Sequence, residues 1–285
     1  MRFKKLGGTM VKFVTDSSCD LLSIPDVSFV SAPLTIRTAK EQWIDDENID
    51  IHHMLNTLAS YKGRSYTSCP SIEDWMKAYE GGDIVYAATL TSALSGTYNA
   101  AMAAAHQYQA AHPEVKIHVF DTLSTGPELH LLMEKLMELN EKGLSFEEVC
   151  VQAQDYLQHT RLFFSLQSVH NLAQNGRINK TIAAAIGLLG IRIFGTASEK
   201  GELEPLAKCR GDKKVISEFI GQLRKHGFSG GKLRISHVEN PELADTLANQ
   251  LKKLWSQADI LTYPARGLCS YYAERGGILL GAEFN

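Results

Sequence analysis

The sequence lacks three features that would place it in common functional classes: a basic block, a long apolar run and a paired cysteine motif. Its 285 residues carry a formal net charge of -3, and no cluster of Lys and Arg stands out, so nucleic-acid binding is poorly supported. No run is long and apolar enough to cross a bilayer, so we expect no membrane span. Hydrophobic residues make up 44% of the chain, enough for a substantial core in one large domain or two ordinary ones.

Cysteine and histidine spacings also exclude the usual disulfide and metal frameworks. The five cysteines are scattered without a C-x-x-C spacing, at Cys19, Cys69, Cys150, Cys209 and Cys269. An odd, unpatterned count is typical of reduced thiols, so we expect a cytoplasmic protein. His52 and His53 are adjacent and would point to different sides of a helix, and no H-x-x-x-H spacing occurs. We therefore expect no metal site and no cofactor.

The pattern of strands and helices divides the chain into two predicted domains. Residues 11–158 alternate β-type runs with helical patterns, which predicts a parallel sheet covered by helices on both faces, an α/β/α sandwich. Residues 159–285 have more strands per helix, which indicates a smaller mixed α+β domain. Residues 1–10 read as an extension or an expression remnant, with Met10 as the natural start.

A turn between a predicted strand and a predicted helix carries the first candidate site. The stretch 89–100 follows an apolar β-type run and leads into an alanine-rich helical run. The helix start offers unpaired N–H groups and the positive end of its dipole. Ser95 and Thr97 add hydroxyl groups, and Gly96 allows close approach to the backbone. The pattern predicts a small anion site, although an ordinary helix N-cap has the same signature.

Further hydroxyl clusters follow other predicted strands. One lies at 15–18 and includes Ser17, another lies at 121–124, and a separate hydroxyl-rich stretch at 65–71 includes Thr67. Because the carboxyl ends of parallel strands meet at one edge of a sheet, we expect the clusters that follow strands to lie on that edge. Ligands bind at the same edge in folds of this class.

Six short motifs, in a fixed order over both halves, carry a resemblance to a known family. They are T-D-S-S-x-D-L at 15–21, T-S-x-P-S at 67–71, L-S-G-T-Y at 94–98, D-T at 121–122, G-R-I at 176–178 and G-x-L-x-P-x-x-K-x-R at 201–210. On these motifs the chain resembles the DegV family of bacterial fatty-acid-binding proteins. The resemblance implies an α/β sandwich domain followed by a smaller mixed domain, with one long-chain fatty acid held between them.

The resemblance also implies roles for particular residues. Thr67 and Ser95 would hydrogen-bond the carboxylate, while Arg177 and Arg210 would lie near the head group or at the surface that docks a partner. That partner would be a separate fatty acid kinase, so the chain itself would be a carrier without catalytic residues. Burying each methylene is worth ~0.8 kcal/mol, and the apolar run 181–194 is expected to supply a wall of the tunnel.

One segment near the C-terminus departs from the family pattern. The family ends in a His-x-Gly-Pro-Gly segment whose histidine meets the carboxylate, and counting back from Gly281 and Phe284 puts Glu274 at that histidine. Two like charges 4 Å apart repel by ~4 kcal/mol in a surface-like dielectric. Glu274 would therefore have to turn away, be protonated or be offset by an arginine. Otherwise the chain would carry a different amphipathic ligand.

A serine hydrolase that uses Ser95 is the main enzymatic alternative. Ser95 follows a strand and precedes a helix, as a nucleophile elbow does, but the elbow requires G-x-S-x-G and the sequence here is A-L-S-G-T. No histidine is singled out as the base, because five are equally placed for nomination: His106, His112, His118, His130 and His237. The sequence therefore favours a carrier over an enzyme.

Overall fold

The computed structural model describes residues 8–178 and 190–284, and a four-stranded parallel sheet organises the first half. Its order is β2-β1-β6-β7, and each neighbouring pair is parallel. The strands are β1 (Val11–Asp16), β2 (Phe29–Ala32), β6 (Ile84–Thr89) and β7 (Lys116–Asp121). A short 3-10 helix, Ser17–Cys19, follows β1.

Helices cover both faces of this sheet, as the alternation of strands and helices predicts. The helices of this half are α1 (Ile51–Ser60), α2 (Ile72–Tyr79), α3 (Thr97–Ala111), α4 (Pro127–Glu141) and α5 (Phe146–Tyr156). Val85 and Ala87 of β6 pack with residues of α2 and α3, whereas Tyr86 and Ala88 pack with residues of α4 and α5. This alternation follows from the two-residue period of a strand, and it confirms the predicted sandwich.

A six-stranded mixed sheet organises the second half, in the order β10-β9-β8-β13-β11-β12. Its strands are β8 (Thr160–Leu166), β9 (Ile191–Ala197), β10 (Leu203–Arg210), β11 (Lys232–His237), β12 (Asp259–Pro264) and β13 (Ile278–Glu283). Among its described strands, only β11 and β12 pair in parallel. The described helices of this half are α6 (His170–Gln174), α7 (Asp212–Lys225), α8 (Pro241–Leu254) and α9 (Gly267–Ala273). The predicted mixed α+β half is confirmed.

A small antiparallel sheet, not predicted from the sequence, lies beside the first sheet. It consists of β3 (Thr35–Arg37), β4 (Gln42–Ile44) and β5 (Tyr66–Ser68), in the order β4-β3-β5. The pattern at 29–36 predicts one strand, but the structure divides it between two sheets. Pro33 stands at the division, where it has no N–H to donate to a sheet partner.

Helix α4 packs against both main sheets and joins the two halves. Gly281 of β13 lies so close to it that a Cβ there would be 2.7 Å from the carbonyl carbon of Pro127. Glu134 of α4 accepts two hydrogen bonds of 2.8 Å from the nearly buried Arg234 of β11. The proposed domain boundary between 158 and 159 stays a prediction, because α4 belongs to the packing of both halves.

Two further expectations concern apolar segments. Most of the run 181–194 lies outside the described residues, and its last residues begin β9. Across the described part of the chain, no helix combines the length and apolar character that crossing a bilayer requires.

Candidate ligand-binding site

A cavity of about 250 Å³ lies where residues from both halves of the chain meet. Most of its lining is apolar and includes Leu90, Leu162, Phe164, Leu203 and Leu279. Its polar lining residues are Thr67, Ser68, Ser95, Thr125, Arg177 and Tyr272. A largely apolar cavity with a few polar groups is the usual form of a site for a small, mainly hydrophobic ligand.

Ser95 lines the cavity at the start of helix α3. The helix begins at Thr97, and Gly96 is its N-cap residue without a side-chain capping bond. The Ser95 Oγ accepts a hydrogen bond of 3.3 Å from the backbone N–H of Thr97, so the Ser95 hydroxyl proton is available to another acceptor. Gly96 also lines the cavity, whereas Thr97 is buried and does not. Ser95 and Gly96 therefore line the cavity at the start of α3, where the sequence predicts an anion site.

Thr67 reaches the cavity from the small sheet and meets a residue that the sequence analysis missed. Its hydroxyl lies 2.7 Å from the phenol oxygen of Tyr272, which belongs to α9 in the other half of the chain. Burial raises the pKa of Tyr272, an effect that Thr67 and Arg177 partly offset, so the phenol keeps its proton. The pair shares one hydrogen bond and therefore retains one O–H that can be donated to a ligand.

Arg177 is the one basic residue in the described lining of the cavity. Its Nε donates a hydrogen bond of 3.0 Å to the carbonyl oxygen of Leu94, and Nη1 donates to the carbonyl oxygen of Asn175. Gly176, just before it, has a φ of 70°, which favours glycine. Arg177 thus ties the second half of the chain to the loop that carries Ser95.

Besides Thr97, three residues predicted from the sequence do not line the cavity. Glu274 accepts a hydrogen bond of 3.1 Å from the backbone N–H of Asn171, and Arg210 is exposed at the end of β10. Ser17 is buried, and its Oγ accepts a hydrogen bond of 3.0 Å from the backbone N–H of Leu34. The structure brings Thr67, Ser95, Gly96 and Arg177 together, but it does not bring these three residues to the same place.

The motif at 15–21 shapes the cavity wall instead of lining it. Leu34 and Leu90 both line the cavity. Ser17 holds the N–H of Leu34, and the Oδ2 of Asp16 accepts a hydrogen bond of 2.7 Å from the N–H of Leu90. Asp16 is fully buried, and burial raises its pKa to about 6. Backbone bonds to buried side chains therefore fix the positions of two apolar wall residues.

A pair of aspartates, Asp45 and Asp20, holds the start of helix α9. The Asp45 carboxylate accepts hydrogen bonds of 2.8 Å from the backbone N–H groups of both Gly267 and Leu268. Asp20 accepts another of 2.8 Å from the N–H of Arg266, and burial raises the pKa of Asp20 to about 7. Because α9 carries Tyr272 and the wall residue Leu268, these acids position one whole side of the cavity.

The described lining offers no partner for a nucleophilic serine. It contains neither a histidine nor a carboxylate beside Ser95. A serine nucleophile needs a base within hydrogen-bond reach. Within the described ranges, no group of three or more His, Cys, Asp or Glu side chains could hold a metal ion. The arrangement suits binding of an anion attached to an apolar chain.

Comparisons with known proteins identify the family to which this arrangement belongs. The sequence model of the DegV family, described as an uncharacterised protein family, matches residues 10–282. The chain belongs to the DegV family. A DegV domain-containing protein of Streptococcus pneumoniae is 42% identical over 278 residues, which cover 96% of this chain and 99% of that protein. A DegV protein of Streptococcus pyogenes is 44% identical over 276 residues, or 95% and 99% of the two chains.

Solved DegV structures match the fold over nearly the full length. A DegV family protein from Eubacterium eligens, loaded with heptadecanoic acid, is 48% identical with a TM-score of 0.95, over 96% of this chain and 100% of that chain. The fatty acid kinase B3 protein of Streptococcus pneumoniae, loaded with linoleic acid, is 41% identical with a TM-score of 0.95, over 97% and 100% of the two chains. These matches confirm the fold class predicted from the sequence.

Proposed function

We propose that this DegV protein binds a long-chain fatty acid in the cavity between its two halves. The cavity is apolar over most of its lining and polar at a few positions, which fits an acyl chain and a carboxylate. Two similar DegV proteins are described as loaded with heptadecanoic acid and with linoleic acid. Burial of each methylene contributes ~0.8 kcal/mol, so a long chain binds without any further chemistry.

The carboxylate is proposed to lie against Thr67, Ser95 and Tyr272. The hydroxyl pair of Thr67 and Tyr272 has one O–H left to donate, and Ser95 has its own proton to donate. Hydrogen bonds to a charged acceptor are about twice as strong as neutral ones. Arg177 and the start of helix α3 add positive potential at the same end. The Thr67–Tyr272 pair, which lines the same cavity as Ser95, is the observation that carries the proposal.

The proposal includes presentation of the bound carboxylate to a separate fatty acid kinase. One similar structure is described as a fatty acid kinase B3 protein, and no general base stands beside Ser95 in the described cavity lining. We therefore propose a carrier that performs no catalysis of its own. A reducing, cytoplasmic location is part of the proposal, supported by five cysteines that are all free.

Native mass spectrometry of the protein purified from cells tests the proposal directly. We expect a retained mass that corresponds to a fatty acid, and its loss in the double variant Thr67→Ala with Ser95→Ala. Phe163→Leu, a change on the opposite face of β8, is the control for general destabilisation. A wild-type protein that neither retains nor takes up any fatty acid would contradict the proposal.

A further inference from the structure

Among the described residues of the second sheet that line the cavity, one has an aromatic side chain, Phe164. Leu162, Phe164 and Leu166 alternate along β8 and all three line the cavity. The intervening Phe163 points to the other face, where it packs with residues of α7 and α8. In the described lining the other aromatic residue is Tyr272, which lies on α9 at the polar end. Phe164 is therefore the bulky, rigid part of the apolar wall.

Phe164 lies in a cross-strand row between a leucine and a glycine. Its partner on β13 is Leu279, and its partner on β9 is Gly195. A Cβ built on Gly195 would lie 2.5 Å from Cζ and 2.7 Å from Cε2 of Phe164. The ring thus occupies the space in which a side chain at position 195 would stand. Gly195 does not have a positive φ, so the close approach of the Phe164 ring and of the carbonyl oxygen of Glu204, also 2.5 Å from such a Cβ, accounts for glycine here.

We infer that Phe164 sets which acyl chains fit the cavity, and that Gly195 sets the position of its ring. This inference rests on the proposed fatty-acid function. Protein interiors are closely packed, so a ring that cannot move aside limits the length and bend of a bound chain. With glycine at 195 the ring of Phe164 extends over β9, and the space beside it is left to the ligand. A side chain at 195 would push the ring back into that space.

A matched pair of neighbouring phenylalanines provides the test. Phe163 and Phe164 are adjacent on β8, are both almost fully buried, and face opposite sides of the sheet. Delipidated wild type, Phe164→Leu and Phe163→Leu are each incubated with an equimolar series of saturated and unsaturated fatty acids that spans heptadecanoic acid. Native mass spectrometry then gives the profile of chains that each protein retains, and thermal melting gives its stability.

Phe164→Leu is expected to shift the retained profile toward longer or more bent chains by about two methylene groups, because leucine is about three carbons smaller. Phe163→Leu should lose stability but keep the wild-type profile. Phe164→Met, a gentler change, should shift the profile in the same direction and serves if the leucine variant does not fold. Gly195→Ala should act in reverse and reduce retention of the longest chains about tenfold, although its Cβ would also meet the carbonyl oxygen of Glu204 at 2.5 Å.

The outcomes distinguish failure of the role inferred for Phe164 from failure of the proposed fatty-acid function. If wild type and Phe163→Leu retain fatty acid and the two Phe164 variants retain the same profile, the role of Phe164 is wrong while the carrier function stands. If wild type takes up no member of the series, the carrier function fails and the inference fails with it. A profile that shifts equally in Phe163→Leu and Phe164→Leu also overturns the inference, because general loosening of the sheet would then explain the change.

Discussion

The carboxylate of Asp45 accepts a hydrogen bond of 2.8 Å from the backbone N–H of Leu268, a residue 223 positions later in the chain. The other carboxylate oxygen accepts a bond of 2.8 Å from Gly267. Asp45 follows β4 of the small sheet, while Leu268 lies in the first turn of α9. The cavity is therefore closed by contacts between distant segments, and its walls depend on a few buried polar side chains.

Replacement of Asp45 by alanine should destabilise the fold and impair ligand retention together. Two buried N–H groups would lose their acceptor, and each unsatisfied group costs about 1–3 kcal/mol. Urea denaturation measures the free energy of unfolding, and native mass spectrometry measures the retained ligand. Asp45→Asn keeps one carbonyl acceptor, so its free energy of unfolding and its ligand retention should lie between those of wild type and Asp45→Ala. If Asp45→Ala were as stable as wild type, the bonds to α9 would not hold the cavity closed.

The hydroxyl pair of Thr67 and Tyr272 should contribute to ligand affinity as a unit. Tyr272→Phe and Thr67→Val each remove one hydroxyl, and each should weaken fatty-acid binding by about 1–2 kcal/mol. The double variant should lose less than the sum, because either single change already breaks the pair. Isothermal titration calorimetry with one fatty acid measures the affinities of wild type, the two single variants and the double variant, which together form a double-mutant cycle. Strictly additive losses would show that the two hydroxyls act on the ligand independently.

Ser95→Ala should weaken binding of a fatty acid. It should not change esterase activity, because we expect none in wild type. No histidine or carboxylate stands beside Ser95 in the described lining, so we expect no burst of p-nitrophenol from a chromogenic ester in wild type. The loss of one hydrogen bond to a charged group should cost roughly 1.5–3 kcal/mol of affinity. A burst that disappears in Ser95→Ala would favour the hydrolase instead.

Glu274→Gln should leave fatty-acid affinity within about 0.5 kcal/mol of wild type. The Glu274 carboxylate is bonded to the N–H of Asn171, and a glutamine carbonyl can accept the same bond. Because Glu274 does not line the described cavity, its charge should not repel the ligand carboxylate. Titration at a fixed neutral pH compares the two proteins. A clear gain in affinity on removal of the charge would place Glu274 near the head group after all.

The stability of wild type should contain a component that falls as pH rises, contributed by Asp20 and Asp16. Burial raises the pKa of Asp20 from 3.8 to about 7 and that of Asp16 from 3.8 to about 6. The folded state therefore binds these protons more tightly than the unfolded state does. The resulting stabilisation is fully present below the unfolded pKa near 4 and is lost as pH rises through 6 to 7.

Comparison with Asp20→Asn isolates the part of this component that Asp20 contributes. The asparagine keeps an acceptor for the N–H of Arg266 but does not titrate. Between about pH 5 and 8, wild type should lose on the order of 1–3 kcal/mol more stability than the variant. Urea denaturation at several pH values gives the free energy of unfolding as a function of pH for both proteins. Parallel curves for the two proteins would mean that Asp20 is already ionised at pH 5.

The sequence by itself determined the class of fold and singled out two of the hydroxyl groups that line the cavity. Alternating strands and helices predict the parallel sheet. Ser71 and Ser145, each followed three residues later by an acidic residue, form the capping boxes that begin α2 and α5. The hydroxyls at Thr67 and Ser95 stand in short motifs that can be recognised locally. These features depend on neighbouring residues, so they can be predicted from the chain alone.

Only the tertiary structure decided which residues meet around the cavity. Asp16 reaches the N–H of Leu90 across 74 positions, and Asp45 reaches that of Leu268 across 223, and no local pattern encodes such bonds. The structure also put Tyr272, not Glu274, beside Thr67. Successive side chains of a helix point in different directions, and counting positions along the sequence does not show which of them faces the cavity. The wall formed by Phe164 over Gly195 depends in the same way on the pairing of β8 with β9, which only the assembled sheet establishes.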